Sequence, residues 1–494
     1  MNKSTKIERA PSPLINALTS QSNSLIKSFT IFGFPHTTSP TTPKPEMEIL
    51  YHTPKEFQFP QKAEDFIVPR KPTIQQISPN FDILRQPNQK YITILPNDND
   101  SLLCICIYHN EFLNIVNDLI NPTQITNELY RSDYYTQRIY CFTTNYPYLN
   151  ALFPILDKFI DKGYRQKINY FYTQILKSIT LNFNPNPIKS ILDAYIQKVL
   201  RMTTTNEENI VFKDDINKYT FLRSKVNTLK DPLHVSMKML ADYCLVRLFM
   251  TLSIDNILHL LKTMLCGTGV IIISEDISVA TSCLFGLLAL FFPFVWQGVI
   301  IPYVPDDLYE FYETPVPLLC AGKYPPIKCS VNAYVFELGQ SYLSFFTSKV
   351  SKHFDSLPDL NVKLPYYREV KTHLNNTVDS FIKRKPSAAE REKYIEMMPQ
   401  EQIIAFSEKI MSVMYDQLYF KMEDLIIRKN YALNYPSLDD FVAQFPKVFS
   451  PDLYGFMKKF AESQHFNTWW YEVNLRRKEL KTKESVDNIE VDDI

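Results

Sequence analysis

The run from Cys283 to Trp296 carries no polar side chain and strongly limits what this chain can fold into. A membrane-spanning helix needs about 20 apolar residues, and Pro293 lies inside this run, where it would break a helix. We therefore expect a buried helix and not a membrane span. Two fully apolar segments, Val270–Ile273 and Val299–Ile301, lie on either side and read as strands. Strand, helix and strand in this order, with unbroken apolarity, are typical of an α/β sheet covered by helices.

The preceding part of the chain has the pattern of an antiparallel sheet. Phe29–Phe34 and Arg138–Thr143 have the composition of strands. Tyr91–Leu95 and Leu102–Tyr108 are separated by turn-forming residues, which predicts a hairpin. Tyr148–Ile160 carries apolar residues at helical spacing. These elements predict an antiparallel sheet with a helix packed on it.

The predicted fold class is α/β, with an N-terminal lobe and a C-terminal α/β lobe that ends in helices. Ser253 and Ser278 are expected to cap the helices before and after the strand Val270–Ile273. Further helices are expected near residues 365–382, 399–427, 438–446 and 451–474. The predicted boundaries are a disordered segment at 1–27, an N-terminal lobe at 28–170, a helical connection at 171–230, a central lobe at 231–363, a helical segment at 364–475 and a charged tail at 476–494.

Composition argues against several classes of function. Lys plus Arg number 53 and Asp plus Glu number 53, so the chain lacks the positive charge that nucleic-acid binding needs. It has only 9 glycines in 494 residues, and none are spaced for a phosphate-binding loop or a nucleophile elbow. The 8 cysteines lie mostly in apolar runs and form no C-x-x-C motif, so we predict no metal and no cofactor. The N-terminus lacks the apolar core of a signal peptide, which favours an intracellular protein.

Four polar residues at predicted strand ends are candidate binding residues. Ser274, Glu275 and Asp276 follow one apolar strand, and Glu337 closes another. Ligands of open α/β sheets gather at the carboxyl ends of strands. The alternative for Glu275 and Asp276 is that they favour the N-terminus of the next helix through its dipole. Glu337 could equally form an internal ion pair or contact a partner.

Trp296 and several prolines are candidates for structural roles. Trp296 either lines a groove between the lobes or anchors the core. Pro302 and Pro305 cannot pair in a sheet, so they are expected to fix the exit of a strand. The two tryptophans Trp469 and Trp470 are expected on the apolar face of the last helix.

Three segments, Val270–Ser278, Pro293–Pro305 and Thr314–Gly322, together resemble the central block of the DENN-domain family. The shared features are a strand ending in Ser, a Pro-Phe-x-Trp turn, an Ile-Pro-x-x-Pro strand exit and an Ala-Pro-x-Pro-type segment that includes Pro315 and Pro317. The resemblance extends in order over about residues 28–475. Departures from the family pattern are Cys266 for a usual Glu, Glu337 for a usual Asp, Gly339 for a second acidic residue and Ser463 for a usual Thr.

The resemblance implies an N-terminal longin-like lobe and a guanine nucleotide exchange factor for a Rab-family small GTPase, bound across both lobes. It implies no covalent chemistry, and a cytoplasmic protein with transient peripheral association with endomembranes in vesicle trafficking. Two alternatives remain: an adaptor that binds a small GTPase or a membrane complex without exchange, and a GTPase-activating component, which would need an arginine that reaches the nucleotide. No motif specifies the Rab or the oligomeric state.

Overall fold

The described part of the chain covers both predicted lobes. The structure, a computed structural model, describes residues 25–35, 37–42, 44–78, 86–96, 101–113, 134–165, 186–201, 209–213, 218–222, 232–326, 333–338, 363–383, 386–427 and 437–472. The predicted disordered segment up to residue 24, the predicted tail from residue 476 and Gly339 lie outside these ranges.

A 6-stranded antiparallel sheet forms the N-terminal lobe. Its order is β2-β1-β6-β5-β4, with β3 beside β6. The predicted hairpin is confirmed, with Tyr91 opposite Cys106 and Leu95 opposite Leu102. The strands are β1 Ile26–Gly33, β2 Glu48–Thr53, β3 Gln75–Gln76, β4 Gln89–Pro96, β5 Ser101–Phe112 and β6 Tyr134–Thr144.

Helices cover this sheet, so the predicted sheet-plus-helix lobe is confirmed. Helix α1 spans Ala63–Ile67, and α2 spans Leu149–Ile160 and continues into a π turn at Asp161–Arg165. The apolar face of α2 is buried on β5 and β6. Helix α3, Asn186–Leu200, packs against β1, and the short hairpin of β7 (Asn209–Lys213) and β8 (Lys218–Leu222) adjoins α2.

A 4-stranded parallel sheet forms the core of the C-terminal lobe, in the order β10-β11-β9-β12. The predicted covered α/β arrangement is therefore present. Its elements are α4 Pro232–Thr251, α5 Ile254–Leu265, β9 Gly269–Ile273, α6 Ile277–Phe291, β10 Val299–Ile301, a 3-10 turn at Tyr309–Glu313, β11 Leu318–Gly322 and β12 Ala333–Glu337.

One of the two predicted helix caps is wrong. Ser253 does cap α5, since its side chain accepts a hydrogen bond from the amide of Asn256 at 3.2 Å. The cap of α6 is Asp276, whose carboxylate accepts from the amides of Ser278 and Val279 at 2.9 and 3.3 Å. The helix begins at Ile277, so Ser278 already lies in its first turn, where its own amide is one of those that need a cap.

The chain after residue 363 is helical, as predicted. Ser463 separates α13 from α14 within the predicted helix 451–474, and its hydroxyl accepts from the amide of Phe466. The helix Ala388–Met397, α8, was not predicted, because half of its residues are charged and its apolar residues do not form one face. The helices are α7 Tyr367–Phe381, α8 Ala388–Met397, α9 Gln400–Met414, a π turn at Tyr415–Tyr419, α10 Phe420–Ile427, α11 Leu438–Val442, α12 Phe445–Val448, α13 Pro451–Ala461 and α14 at 464–472.

Helix α6 joins the two lobes into one core. It contacts β4 of the antiparallel sheet, β9 and β11 of the parallel sheet, and α4 along its length. It is apolar on all sides because protein covers it on all sides. The helix ends at Phe291, before Pro293, and Tyr419 of the π turn donates its hydroxyl proton to the carbonyl of Leu290. Within the described ranges, the helices are too short or too polar to cross a bilayer.

Gly286 sets the distance between α6 and α4. A Cβ at this position would lie 3.0 Å from Cβ of Leu248. We predict that Gly286→Ala lowers the free energy of unfolding by about 1–3 kcal/mol through overpacking. The higher helix propensity of Ala alone would raise the free energy of unfolding by about 1 kcal/mol. A decrease measured by urea titration would therefore show that α6 and α4 are in tight contact at Gly286, and an increase would show that they are not.

Asp242 is a buried carboxyl at the junction of the lobes. Asn150 of α2 donates to its backbone carbonyl at 3.1 Å, and the rings of Phe153 and Tyr243 lie 5.0 Å apart beside it. The side chain is 7% exposed, and its Oδ1 finds no hydrogen-bond partner among the described residues. Burial, with a smaller contribution from Glu408, raises the pKa of Asp242 from 3.8 to about 8.

This carboxyl should make stability fall as pH rises. Between pH 3.8 and about 8 the folded state holds a proton on Asp242 that the unfolded state releases, so the free energy of unfolding should fall by up to about 1.4 kcal/mol per pH unit. We predict that Asp242→Asn removes this loss and is more stable than the parent at neutral pH. Asp452→Asn, at an exposed position, is the matched control. An unchanged pH slope in urea titrations of Asp242→Asn would contradict the assignment.

Candidate functional site

The carboxyl ends of the parallel strands bring the four predicted binding residues together. Ser274, Glu275 and Asp276 follow β9, and Glu337 ends β12, where it pairs in register with Ile273. The segments that follow β10 and β11 begin at the same edge of the sheet, because all the strands are parallel. We call this surface the carboxyl edge.

Ser274 and Asp276 shape the turn after β9. Ser274 is buried; its amide donates to the carbonyl of Gly322 at 2.9 Å, and its carbonyl accepts from the hydroxyl of Tyr303 at 3.1 Å. Its hydroxyl accepts from the amide of Asp276 at 3.0 Å, and the Asp276 carboxylate caps α6. Glu275 is exposed and Glu337 is partly exposed. Solvent can therefore reach the side chains of Glu275 and Glu337, whereas Ser274 is buried.

The N-terminal lobe reaches this edge through the segment Phe66–Lys71, which we call the bridge segment. Arg70 donates from its guanidinium to the carbonyl of Glu275 at 2.5 Å. The amide of Asp306 donates to the carbonyl of Pro69 at 2.9 Å. Two side-chain contacts add to these: Lys71 pairs with Asp307, and the rings of Phe66 and Phe311 lie 5.5 Å apart. The carboxyl edge is therefore built by both lobes.

Two stacked tyrosines hold the bridge segment on the antiparallel sheet. The hydroxyl of Tyr108 donates to the carbonyl of Arg70 at 2.8 Å and accepts from its amide at 3.2 Å. Tyr91 stacks on Tyr108 with ring centroids 5.0 Å apart, and its hydroxyl donates to the carbonyl of Ile67. Burial raises the pKa of both tyrosines, so they remain neutral donors. Sequence reasoning missed this arrangement, because no local pattern links residue 70 to residue 275.

Exposed aromatic rings and carboxylates extend the carboxyl edge beyond β10 and β11. Tyr309 is 39% exposed and Tyr324 is 45% exposed. Asp307 and Glu310 are exposed beside them, and burial raises the pKa of Asp306. Tyrosine is enriched in protein–protein interfaces because its ring buries a large area while its hydroxyl can hydrogen bond. The exposed rings are a feature that sequence reasoning did not single out.

The remaining motif residues lie in the framework of the parallel sheet. Trp296 is 2% exposed, stacks on His465 at 4.6 Å and does not line a groove. Pro302 and Pro305 are buried, and the intervening Val304 donates its amide to Ala321 at 2.7 Å, so the strand exit bends back onto β11.

The segment before β11 and two of the family departures lie at the opposite, amino end of the strands. Pro315 is exposed, while the carbonyl of Pro317 accepts from the amide of Val299 at 3.0 Å. Cys266 and Ser463 line a cavity of about 290 Å³ at this amino end, together with Pro317. These departures therefore leave the carboxyl edge unchanged. Over the described ranges, no group of three or more His, Cys, Asp or Glu side chains is arranged to hold a metal ion.

Comparison with known proteins identifies a domain within this chain. The model of the DENN (AEX-3) domain matches residues 135–322, from within β6 to the last residue of β11. The chain contains a DENN domain.

Several DENN domain-containing proteins are similar over a shorter stretch. Human DENN domain-containing protein 1A is 35% identical over 75 residues, which is 15% of this chain and 7% of that protein. The Xenopus laevis protein of the same name is 35% identical over 116 residues, 24% of this chain and 11% of its own. A Schizosaccharomyces pombe DENN domain-containing protein is 39% identical over 74 residues, 15% of this chain and 8% of its own. The similarity thus spans a small part of each relative.

We predict that Arg70→Ala loosens the contact between the lobes at the carboxyl edge. Loss of the bond to the Glu275 carbonyl should give several-fold faster amide hydrogen exchange in residues 274–276 and 302–311, at a stability cost below about 1.5 kcal/mol. Arg368→Ala, on the exposed side of α7, is the matched control. Unchanged amide hydrogen exchange in both segments would show that the contact between the bridge segment and the carboxyl edge does not depend on this hydrogen bond.

Proposed function

We propose that this protein is a guanine nucleotide exchange factor that binds a Rab-family small GTPase at the carboxyl edge and promotes GDP release in membrane trafficking. The observation that carries the proposal is the contact of Arg70 with Glu275, because it makes one continuous surface from both lobes. The DENN domain at residues 135–322 supports the same reading.

Exchange needs a surface and no reactive group. A GTPase that binds nucleotide at nM to pM affinity holds it with about 12–16 kcal/mol. A factor that binds the nucleotide-free form more tightly weakens the nucleotide by the same factor, by thermodynamic linkage. Such coupling requires a broad, firmly held surface that rearranges the switch loops. The hydrogen bonds of Tyr108 and Asp276 hold the carboxyl edge in place, which supports the proposal that it serves as such a surface.

The residues of the carboxyl edge would divide their roles by exposure. Glu275 and Glu337 would contact the GTPase directly, and Tyr309 and Tyr324 would supply apolar contact area. Ser274 and Asp276 would hold the turn that presents Glu275, since their polar groups already bond within the protein. In this proposal no single side chain is essential in the way that a catalytic nucleophile is.

The GTPase-activating alternative would require an arginine that reaches the nucleotide. Arg70 lies at the carboxyl edge, but its guanidinium is bonded to the Glu275 carbonyl. An adaptor would bind at the same surface without accelerating release. The proposed site of action is the cytoplasmic face of endomembranes, reached by peripheral recruitment.

We predict that Glu275→Lys and Glu337→Lys each lower the rate of exchange about five- to tenfold. Glu275→Lys, at an exposed position, should do so without changing the melting temperature. The measurement is release of fluorescent GDP from a panel of purified Rab proteins by the full chain. Glu401→Lys, an exposed charge reversal on α9, is the control and should retain full activity.

The full chain is the right material, because α6 is shared by both lobes and an isolated lobe would expose it. Tight binding of a Rab without faster release would replace exchange with an adaptor role. Faster GTP hydrolysis that is lost in Arg70→Ala would favour the activating role. Wild-type rates in both charge reversals would show that the GTPase binds elsewhere.

A further inference from the structure

An open cleft on the N-terminal lobe adjoins the carboxyl edge at Lys71 of the bridge segment, but it contains none of the side chains proposed to contact the GTPase. One wall is formed by residues 34, 40, 42 and 44–47 and the other by residues 64, 65 and 71–74, and the volume of the cleft is about 770 Å³. Binding pockets for organic ligands are commonly about 300–1,000 Å³. Phe34, Met47 and Ile74 supply apolar lining. The prolines Pro45 and Pro72 stiffen the two walls, since their φ angles are fixed.

The charge around the cleft is predominantly acidic. Glu46, Glu64 and Asp65 line it. Of the two lining lysines, Lys71 is paired with Asp307, which leaves Lys44 to oppose the carboxylates. Glu46 and Glu64 are exposed, so an approaching ligand can reach their side chains. A ligand of complementary charge carries Lys or Arg side chains.

The strand that begins beside the cleft is an edge strand. β2 starts at Glu48, one residue after Met47, and among the described strands it pairs with β1 alone. Ile49 on this strand is 41% exposed, which is unusual for a large aliphatic side chain on a sheet. An unpaired strand edge is a template for an added strand, and extended peptides commonly bind in this way.

We propose that the cleft and the outer edge of β2 together bind an extended basic peptide segment of a partner protein. Its backbone adds to β2 beyond Ile49, its apolar side chains contact Met47 and Phe34, and its Lys or Arg side chains face Glu46 and Glu64. The proposal rests on shape, charge and strand pairing, and it holds whether or not the carboxyl edge binds a GTPase.

The test uses the full chain and two fluorescein-labelled probes, a short peptide of alternating Arg and Leu and a matched peptide with Glu in place of Arg. Fluorescence anisotropy should show saturable binding of the Arg peptide and none of the Glu peptide. The double variant Glu46→Lys with Glu64→Lys should weaken binding about tenfold or more, since two attractive charge contacts become repulsive. The matched double variant Glu369→Lys with Glu401→Lys, at exposed positions outside the cleft and the carboxyl edge, should bind as the parent does.

Hydrogen exchange identifies the site directly. The Arg peptide should slow amide exchange in residues 46–52 and leave residues 302–311 unchanged. Ile49→Lys, at an exposed position on the edge strand, should also weaken binding, because it replaces an apolar contact with a charge that repels the peptide. This variant serves if the double charge variant does not fold. Three results would overturn the proposal: an equal loss of affinity in the control double variant, binding of the Glu peptide as tight as that of the Arg peptide, or unchanged amide exchange in β2 when the Arg peptide binds.

Discussion

The burial of α6 on every side is the interaction on which the rest of the structure depends. A helix with no polar face gains free energy only if protein covers it completely, at about 25 cal/mol for each Å² of apolar surface removed from water. One sheet cannot do this, so β4 of the antiparallel sheet and β9 and β11 of the parallel sheet approach it from different sides. The relative placement of the two lobes follows from this one requirement. The bridge segment and the Asp242 junction are then contacts between surfaces that α6 has already brought together.

A shared core also decides where flexibility can reside. Close-packed interiors resist continuous deformation, so the carboxyl edge should change little when a partner arrives. In an exchange reaction, the loops that rearrange would then be those of the GTPase. The polar groups of Ser274, Asp276 and Tyr108 support this view, because each is bonded to backbone within the turn or the bridge segment. The exposed carboxylates and tyrosine rings of the carboxyl edge remain available to contact a partner.

Local patterns predicted the elements well, and they failed where distant parts of the chain meet. The apolar strands Val270–Ile273 and Val299–Ile301, and the cap at Ser253, depend on nearby residues and were predicted from them. The cap at Asp276 was missed because the helix begins two residues earlier than a cap at Ser278 implies. Helix α8 was missed because its sequence carries little apolar periodicity. The hydrogen bond between Arg70 and Glu275 joins two residues that are far apart in sequence, and neither local sequence predicts the contact. Sequence placed Glu275 and Glu337 at strand ends, but only the fold shows that the N-terminal lobe completes their surface.

The strand order of the antiparallel sheet determines which fragments of the protein can fold on their own. The segment that matches the DENN domain begins within β6, which lies in the middle of its sheet with β1 on one side and β5 on the other. A fragment that starts there would leave both edges of β6 unpaired, with a full row of backbone amides and carbonyls open to other chains. It would also lack α14, whose His465 covers the ring of Trp296. The segment that matches the domain model is thus smaller than the unit that folds, and a fragment cut at its limits should aggregate.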